Sequence, residues 1–326
     1  MMANDSHHQK RTDTPNLELF SSSECIAWLT VLNIEAVAIV TMNALTIIIY
    51  LKERILRKRS MYLVISLAVA DMFVTYKLIF QSLVLGNDCN FWKINLFRSL
   101  EIMFSLPLFF LAASVANLAA ISLERLHATF RPFKHRLIKK NIFGAAVAGV
   151  WFTAALSIAL LFSPFFLGLS DTTSFLQVQA SYFALLFCCL LITVVSYTSI
   201  ATKFNCGTHP QHHGVIRRER NLTKTLFIVT IVSLILVMPF TIFWFVVFVT
   251  SGEMFETISD QTWLHLRCSL LCLLYANSLI NPLLYALKMP EFKRALLLLL
   301  RCRSRSEPVQ LFPLNDLKVV RFHSVN

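Results

Sequence analysis

Six ionisable side chains stand inside long apolar runs of the sequence: Glu35, Asp71, Lys77, Glu101 and the adjacent pair Glu124 and Arg125. A charge in hydrocarbon costs several kcal/mol unless it is paired or solvated, so each one marks a place where recognition or switching can occur. Asp71, in the middle of LAVADMF, is the most costly. Asn43, Ser114 and the group Asn277, Ser278 and Asn281 fall at similar depths in other runs. One carboxylate among hydroxyl and amide oxygens suits a small hard monovalent cation with water. The same residues also suit a protonated Asp71 in a neutral hydrogen-bond network, and residue chemistry alone does not separate the two. Glu124 and Arg125 lie in ISLERLHATFRPFKHR, where an apolar helix runs into an acid–base pair and then a short loop with Pro132, Phe133 and several bases.

These residues need elements that lipid tolerates. Of 326 residues 56% are hydrophobic and 15% charged, against roughly 25% charged in soluble domains. With a mean hydropathy of +0.63, a soluble fold would expose large apolar patches. A hydrocarbon core of ~30 Å takes about 20 apolar residues in a helix. Seven runs qualify: 26–50, 61–85, 95–126, 142–166, 175–202, 222–250 and 264–288, the third long enough to imply tilt. The expected fold is all-α: a seven-transmembrane helix bundle over 26–288 after a tail at 1–25. Residues 290–301, PEFKRALLLLLR, follow with basic and apolar residues at helical spacing. They predict a short amphipathic inner-surface helix within 289–301, and 302–326 form a cytoplasmic tail.

The formal net charge of +12 raises nucleic acid as a partner. The bases, however, cluster in short loops between apolar runs and leave no room for a soluble nucleic-acid-binding domain. Membrane lipids explain them better. Lys52, Arg54, Arg57, Lys58 and Arg59 mark one loop, and Arg131, Lys134, Arg136, Lys139 and Lys140 a second. Lys203, Arg217, Arg218, Arg220 and Lys224 mark a third. The positive-inside rule puts these loops in the cytosol and the N-terminus outside a plasma-membrane protein. The first span is expected to act as signal-anchor. Asn4-Asp5-Ser6 is then a candidate glycosylation acceptor. Cys302 follows the amphipathic helix, where it is either an acylated second anchor or an unmodified thiol. Cys25 and Cys89 both fall on the outer side, where pairing fits an oxidising compartment. Cys268 is a rival partner, and connectivity does not follow from sequence. Pro239 and Pro282 each remove a backbone hydrogen bond within a span and supply hinges.

Over residues 26–301 the chain resembles the rhodopsin-like (class A) G protein-coupled receptors. The resemblance rests on several motifs in order: Asn43, LAVAD ending at Asp71, Glu124-Arg125, Trp151, Tyr197, Pro239 and Asn281-Pro282-x-x-Tyr285, then a Phe-Lys-Arg helix. It implies that Arg125 is held at rest by the acids Glu124 and Glu219 and contacts the G protein when active. It implies that Pro132 and Phe133 form the second-loop pair whose bulky member docks in the G protein. Tyr197 and Tyr285 match tyrosines that turn inward on activation. Asp71, Ser114, Asn277, Ser278 and Asn281 match a sodium pocket, the one cofactor-like ion expected; no other cofactor and no enzyme activity is expected. Arrestin is a further implied partner.

Departures from the family pattern are specific. Its span-six tryptophan is Val237, its phenylalanine is Ser233, its span-five proline is Cys189, and the residue after Arg125 is Leu126. Leu100 stands where the span-three disulfide cysteine belongs, and the loop 167–174 has no cysteine to meet one. Lacking that bridge is similar to the melanocortin, cannabinoid and lysophospholipid receptors, in a branch that also holds adenosine receptors. Pro107 stands where amine receptors carry an aspartate, and Tyr275 where opsins carry the retinal lysine, so neither a biogenic amine nor covalent retinal is expected. Lys77, Glu101, Phe104, Phe243, Arg267 and Tyr275 are the ligand-binding candidates. Lys77 lies about 9 Å outward of Asp71 at 1.5 Å per residue. It can receive a ligand carboxylate or phosphate, or pair with Glu35 or Glu101; the internal pair is favoured. Lipid and peptide ligands both stay open. A constitutively active orphan without ligand is the competing reading. A transporter is less favoured, because no internal repeat divides the seven spans.

Overall fold

The computed structural model describes residues 21–53, 61–93, 100–167, 172–206, 228, 231–244, 246–247 and 258–300. Asn4, Glu219, Cys302, the two tails, and the side chains of Glu101 and Phe104 lie outside the described residues.

Within lipid every backbone N–H and C=O must be satisfied inside its own segment, which makes helices the natural outcome for runs this apolar. The helices are α1 (Ser22–Lys52), α2 (Met61–Asp88), α3 (Leu100–Phe130), α4 (Pro132–Leu137), α5 (Lys140–Leu167), α6 (Thr172–Cys206), α7 (Ile231–Trp244), α8 (Asp260–Lys288) and α9 (Pro290–Leu300). Six are long and apolar enough to cross a membrane, and α7 is a shorter apolar helix. Several boundaries differ from expectation by a few residues, and two of them bear on the site. α1 starts at Ser22, so Cys25 sits in its first turn. α3 runs on to Phe130, which places Glu124 and Arg125 within the helix and not at its end.

The packing order runs α1 on α2, α2 on α3, and α3 on both α5 and α6, while α8 closes back onto α1. α3 is the most buried helix and α5 among the least. The exposed faces of α1 and α5 are apolar, with Ile34, Val37 and Phe152 among the outward residues. A helix apolar all round fits a lipid surround. Two buried clusters stack along the bundle. One includes Leu32, Val74, Leu111, Val237, Leu264 and Tyr275; the other includes Tyr50, Leu118, Tyr197, Tyr285 and Phe292. α9 buries Phe292 and Ala295 and exposes Lys293 and Arg294, the division an interfacial helix needs.

One end of the bundle is fastened by a disulfide from Cys25 to Cys89, whose Cα atoms are 6.3 Å apart. Cys268 is buried and unbridged, so it is not the partner. The turn after α2 is built for this link. Asn90 adopts φ 59, a left-handed conformation that asparagine tolerates well. Phe91 N then donates to Gly86 O at 2.9 Å, and Trp92 Nε1 donates to Leu83 O at 2.9 Å. The Trp92 ring folds directly over Gly86, where any Cβ would collide with it.

Candidate functional site

The polar side chains expected to do chemistry gather at three levels. In the middle, α2 carries Asp71, which is fully buried. Ser114 of α3 donates to Asp71 Oδ1 at 2.6 Å, Ser278 of α8 donates to the same oxygen at 2.9 Å, and Asn281 Nδ2 donates to Oδ2 at 2.9 Å. Three helices therefore close on one carboxylate. Asn43 joins α1 to this centre by donating to Ser278 O at 3.0 Å, and Trp151 fastens α5 to α2 by donating to Ser66 Oγ at 3.0 Å. Asn277 is buried beside them but makes no hydrogen bond to Asp71. Its Oδ1, like those of Asn117 and Asn281 and the hydroxyl of Ser233, is buried without a hydrogen-bond partner among the described residues. Oxygens left in this way lose their hydration without replacement. The Asp71 carboxylate with the hydroxyls of Ser114 and Ser278 and the amide oxygen of Asn281 is a set of hard oxygen donors of the kind a hard cation takes, so these residues fit sodium.

At the basic end, Glu124 is the hub. Its Oε2 lies 2.8 Å from Arg125 Nε, and His135 Nε2 donates to its Oε1 at 2.9 Å. Both Glu124 and Arg125 are largely shielded, at 7% and 11% side-chain exposure. His135 arrives because the expected loop is a helix. Pro132 occupies the first position of α4, where a fixed φ and a missing N–H cost nothing. One turn of α4 then swings His135 back over α3, and its ring meets those of His127 at 5.8 Å and Phe143 at 6.2 Å. The same turn sends Phe133 and Leu137, four residues apart, outward at 82% and 80% exposure. Lys203 of α6 closes the end of α3 by donating to Thr129 O at 2.7 Å, with its ammonium 4.5 Å from the Phe130 ring centre. Tyr197 and Tyr285 are both buried here, and the Tyr285 hydroxyl has no hydrogen-bond partner among the described residues.

At the disulfide end, Trp28 Nε1 donates to His265 Nδ1 at 2.9 Å, and Gln261 Nε2 donates to Glu24 Oε1 at 2.8 Å, clamping α1 to α8. Arg267 donates to Gln81 Oε1 at 2.9 Å. Glu35 bonds the Cys272 thiol while its other oxygen has no hydrogen-bond partner among the described residues, so the internal pairing expected of Lys77 does not run to Glu35. Tyr275 is buried, and Phe243 packs against Trp263 with ring centres 5.6 Å apart.

Asp71, Ser114, Ser278 and Asn281 meet as their depth in the sequence predicts. The contacts of His135, Lys203 and Gln81 and the exposure of Leu137 were not expected. The pattern Arg-Pro-Phe-Lys-His carried a signal for His135, since a proline-started turn returns its fourth residue toward the preceding helix. Lys203 and Gln81 carried none.

A model of the family described as "7 transmembrane receptor (rhodopsin family)" matches residues 42–285. The QRFP-like peptide receptor of Branchiostoma floridae is 24% identical over 83% of this chain and 77% of its own length. Melanocortin receptor 5 of Pan troglodytes is 26% identical over 80% of each. The octopamine receptor beta-2R of Drosophila melanogaster is 28% identical over 50% of this chain, a stretch that spans 30% of that receptor.

Proposed function

The chain belongs to the rhodopsin family of seven-transmembrane receptors, and from that premise we propose that it sits in the plasma membrane with its N-terminus outside and couples an extracellular ligand to a heterotrimeric G protein. The observation that carries this reading is the basic end: Arg125 held by Glu124 beside a short helix that projects Phe133 and Leu137. An apolar pair on a basic surface is an anchor for a partner's pocket. The disulfide at the opposite end supports an oxidising outer side.

In the resting arrangement Arg125 is engaged and largely buried. Freeing it means breaking the Glu124 contact, and His135 stabilises Glu124 in the position that makes it. Pro239 in α7 gives that helix a place to bend. The buried Tyr285 hydroxyl, without a partner among the described residues, gains a hydrogen bond by moving to one. Asp71, Ser114, Ser278 and Asn281 would hold a sodium ion, whose charge would stabilise this arrangement. Val237, an aliphatic residue in the core, makes ligand-independent activity the competing reading.

Nucleotide exchange measured in membranes for each G protein class tests the proposal. At least one class is expected to exchange faster with the receptor present, and Arg125→Ala is expected to abolish the gain. No acceleration in any class, with or without candidate ligands, overturns it. High exchange by purified receptor without ligand selects the ligand-independent form.

A further inference from the structure

Two hydrogen bonds clamp α1 to α8 at the disulfide end, and one of them exists only while a histidine is neutral. Glu24 and Trp28 stand one turn apart on α1, and Gln261 and His265 one turn apart on α8, so each pair shares a helix face. Gln261 Nε2 donates to Glu24 Oε1 at 2.8 Å, and Trp28 Nε1 donates to His265 Nδ1 at 2.9 Å. Both bonds join residues 237 apart in sequence, which makes them successive rungs between two helices running the same way. The disulfide cysteine Cys25 follows Glu24 directly, and Trp28 packs against the buried cluster that includes Leu32 and Tyr275.

An indole N–H only donates, so the ring atom that meets it must accept. His265 therefore carries its proton on Nε2 and a lone pair on Nδ1. Its Nε2 lies 3.5 Å from Glu24 Oε1, and a flipped ring would put carbons at both places. A second proton turns Nδ1 into a donor. Two N–H groups then face each other, and the Trp28 rung is lost. The new charge has a counter-ion waiting, because Nε2–H points toward Glu24, whose Oε2 is buried without a hydrogen-bond partner among the described residues. The His265 side chain is 41% exposed, so water delivers the proton. No other acid among the described residues comes within ion-pair distance of His265. The remaining charged groups toward this end are Glu35 on α1, Lys77 and Asp88 on α2, and Arg267 on α8 itself, which donates to Gln81. α7 has no ionisable residue. The side chain of Asp260 and the loop acids Glu253 and Glu256 lie outside the described residues.

We infer that His265 is a binding site for a proton from the solution on this side of the membrane, and that its occupation exchanges the Trp28 rung for an ion pair with Glu24. The inference rests on the receptor reading in taking this side as the outside. Imidazole is the side chain whose charge changes between about pH 5 and 8. The rung is present at the upper end of that range and lost as pH falls through it.

The test follows the indole N–H resonances of the five tryptophans in purified full-length receptor, isotope-labelled at the indole nitrogen, in neutral maltoside micelles from about pH 8 to 5. Trp28→Phe identifies the Trp28 resonance by its disappearance. In the wild type that resonance is expected downfield at high pH, as a hydrogen-bonded indole, and to move upfield along a one-proton curve as pH falls. His265→Gln offers an oxygen acceptor that does not titrate, and the Trp28 resonance is then expected to stay in place; His265→Asn serves should His265→Gln fail to fold. Glu24→Gln is expected to keep the movement, because the proton sits on His265. A Trp28 resonance that does not move in the wild type overturns the inference. So does the same movement in the His265 variant, or its loss in Glu24→Gln. A Trp28 titration in a receptor that accelerates exchange on no G protein would leave this inference standing and remove the coupling. Exchange with an unmoved Trp28 resonance would do the reverse.

Discussion

Replacing Asp71 by asparagine and by alanine should separate the structural task of this carboxylate from its electrostatic one. Asp71 accepts from Ser114, Ser278 and Asn281, and all three donors are buried. Alanine leaves them unsatisfied. At about 1 kcal/mol per hydrogen bond between membrane helices, the loss is about 3 kcal/mol, less where the donors find other acceptors. Asparagine behaves differently. Its carbonyl can still accept from the two serines, while its NH2 would oppose the Asn281 NH2. The Asn281 Oδ1 has no hydrogen-bond partner among the described residues, so a flip of that amide turns the clash into a bond. Asp71→Asn should therefore melt close to the wild type, and Asp71→Ala well below it. The charge is nonetheless gone from the asparagine variant. If sodium binds here, a concentration five times its dissociation constant stabilises the wild type by about 1 kcal/mol, and this increment should vanish in Asp71→Asn. The assay is melting of purified protein in sodium chloride against choline chloride. Equal destabilisation by Asn and Ala would refute the hydrogen-bond reasoning, and a preserved sodium increment in Asp71→Asn would refute the cation site.

Three further outcomes follow from the geometry. His135→Ala removes one bond to a largely shielded carboxylate; at about 1.4 kcal/mol for a charge-assisted bond that water partly reaches, ligand-free nucleotide exchange should rise about tenfold, whereas an unchanged basal rate would show that His135 does not restrain the switch. Replacing both Cys25 and Cys89 by serine opens a link with a sequence separation of 64. Chain entropy sets an upper bound of about 4 kcal/mol on that cost, and non-reducing melts should fall toward the reduced wild type, with no fall at all counting against the bridge. Gly86→Ala drives a methyl into the Trp92 ring; overpacking of this kind costs about 1–3 kcal/mol, and Gly86→Ala with Trp92→Ala should recover part of the loss in a melting double-mutant cycle.

The spans were legible because lipid leaves one solution for a long apolar run, and loop charge marks its ends. Asp71, Ser114, Ser278 and Asn281 were legible for the same reason, since polar groups at matching depth in an apolar bundle have only one another to meet. Asn277 shares that depth but not the bond, because depth does not fix which way a helix face turns. His135 escaped notice because one turn of helix inside a basic loop has no hydrophobic period to announce it. Lys77 is expected to pair with Glu35 or Glu101; Glu35 turns to Cys272, and the side chain of Glu101 lies outside the described residues. The choice between two acids depends on helix rotation, which apolar helices in lipid do not encode in their outward faces. Gly86 and Trp92 meet through a turn with Asn90 in the left-handed region, a contact that no periodicity signals.

Phe133 offers the most direct test of coupling, because its side chain is 82% exposed and its removal should cost the fold almost nothing. Melting temperature and G protein nucleotide exchange should be measured on the same preparation of Phe133→Ala and of the wild type. An unchanged melting temperature with exchange reduced at least tenfold is expected. Wild-type exchange at an unchanged melting temperature would contradict it.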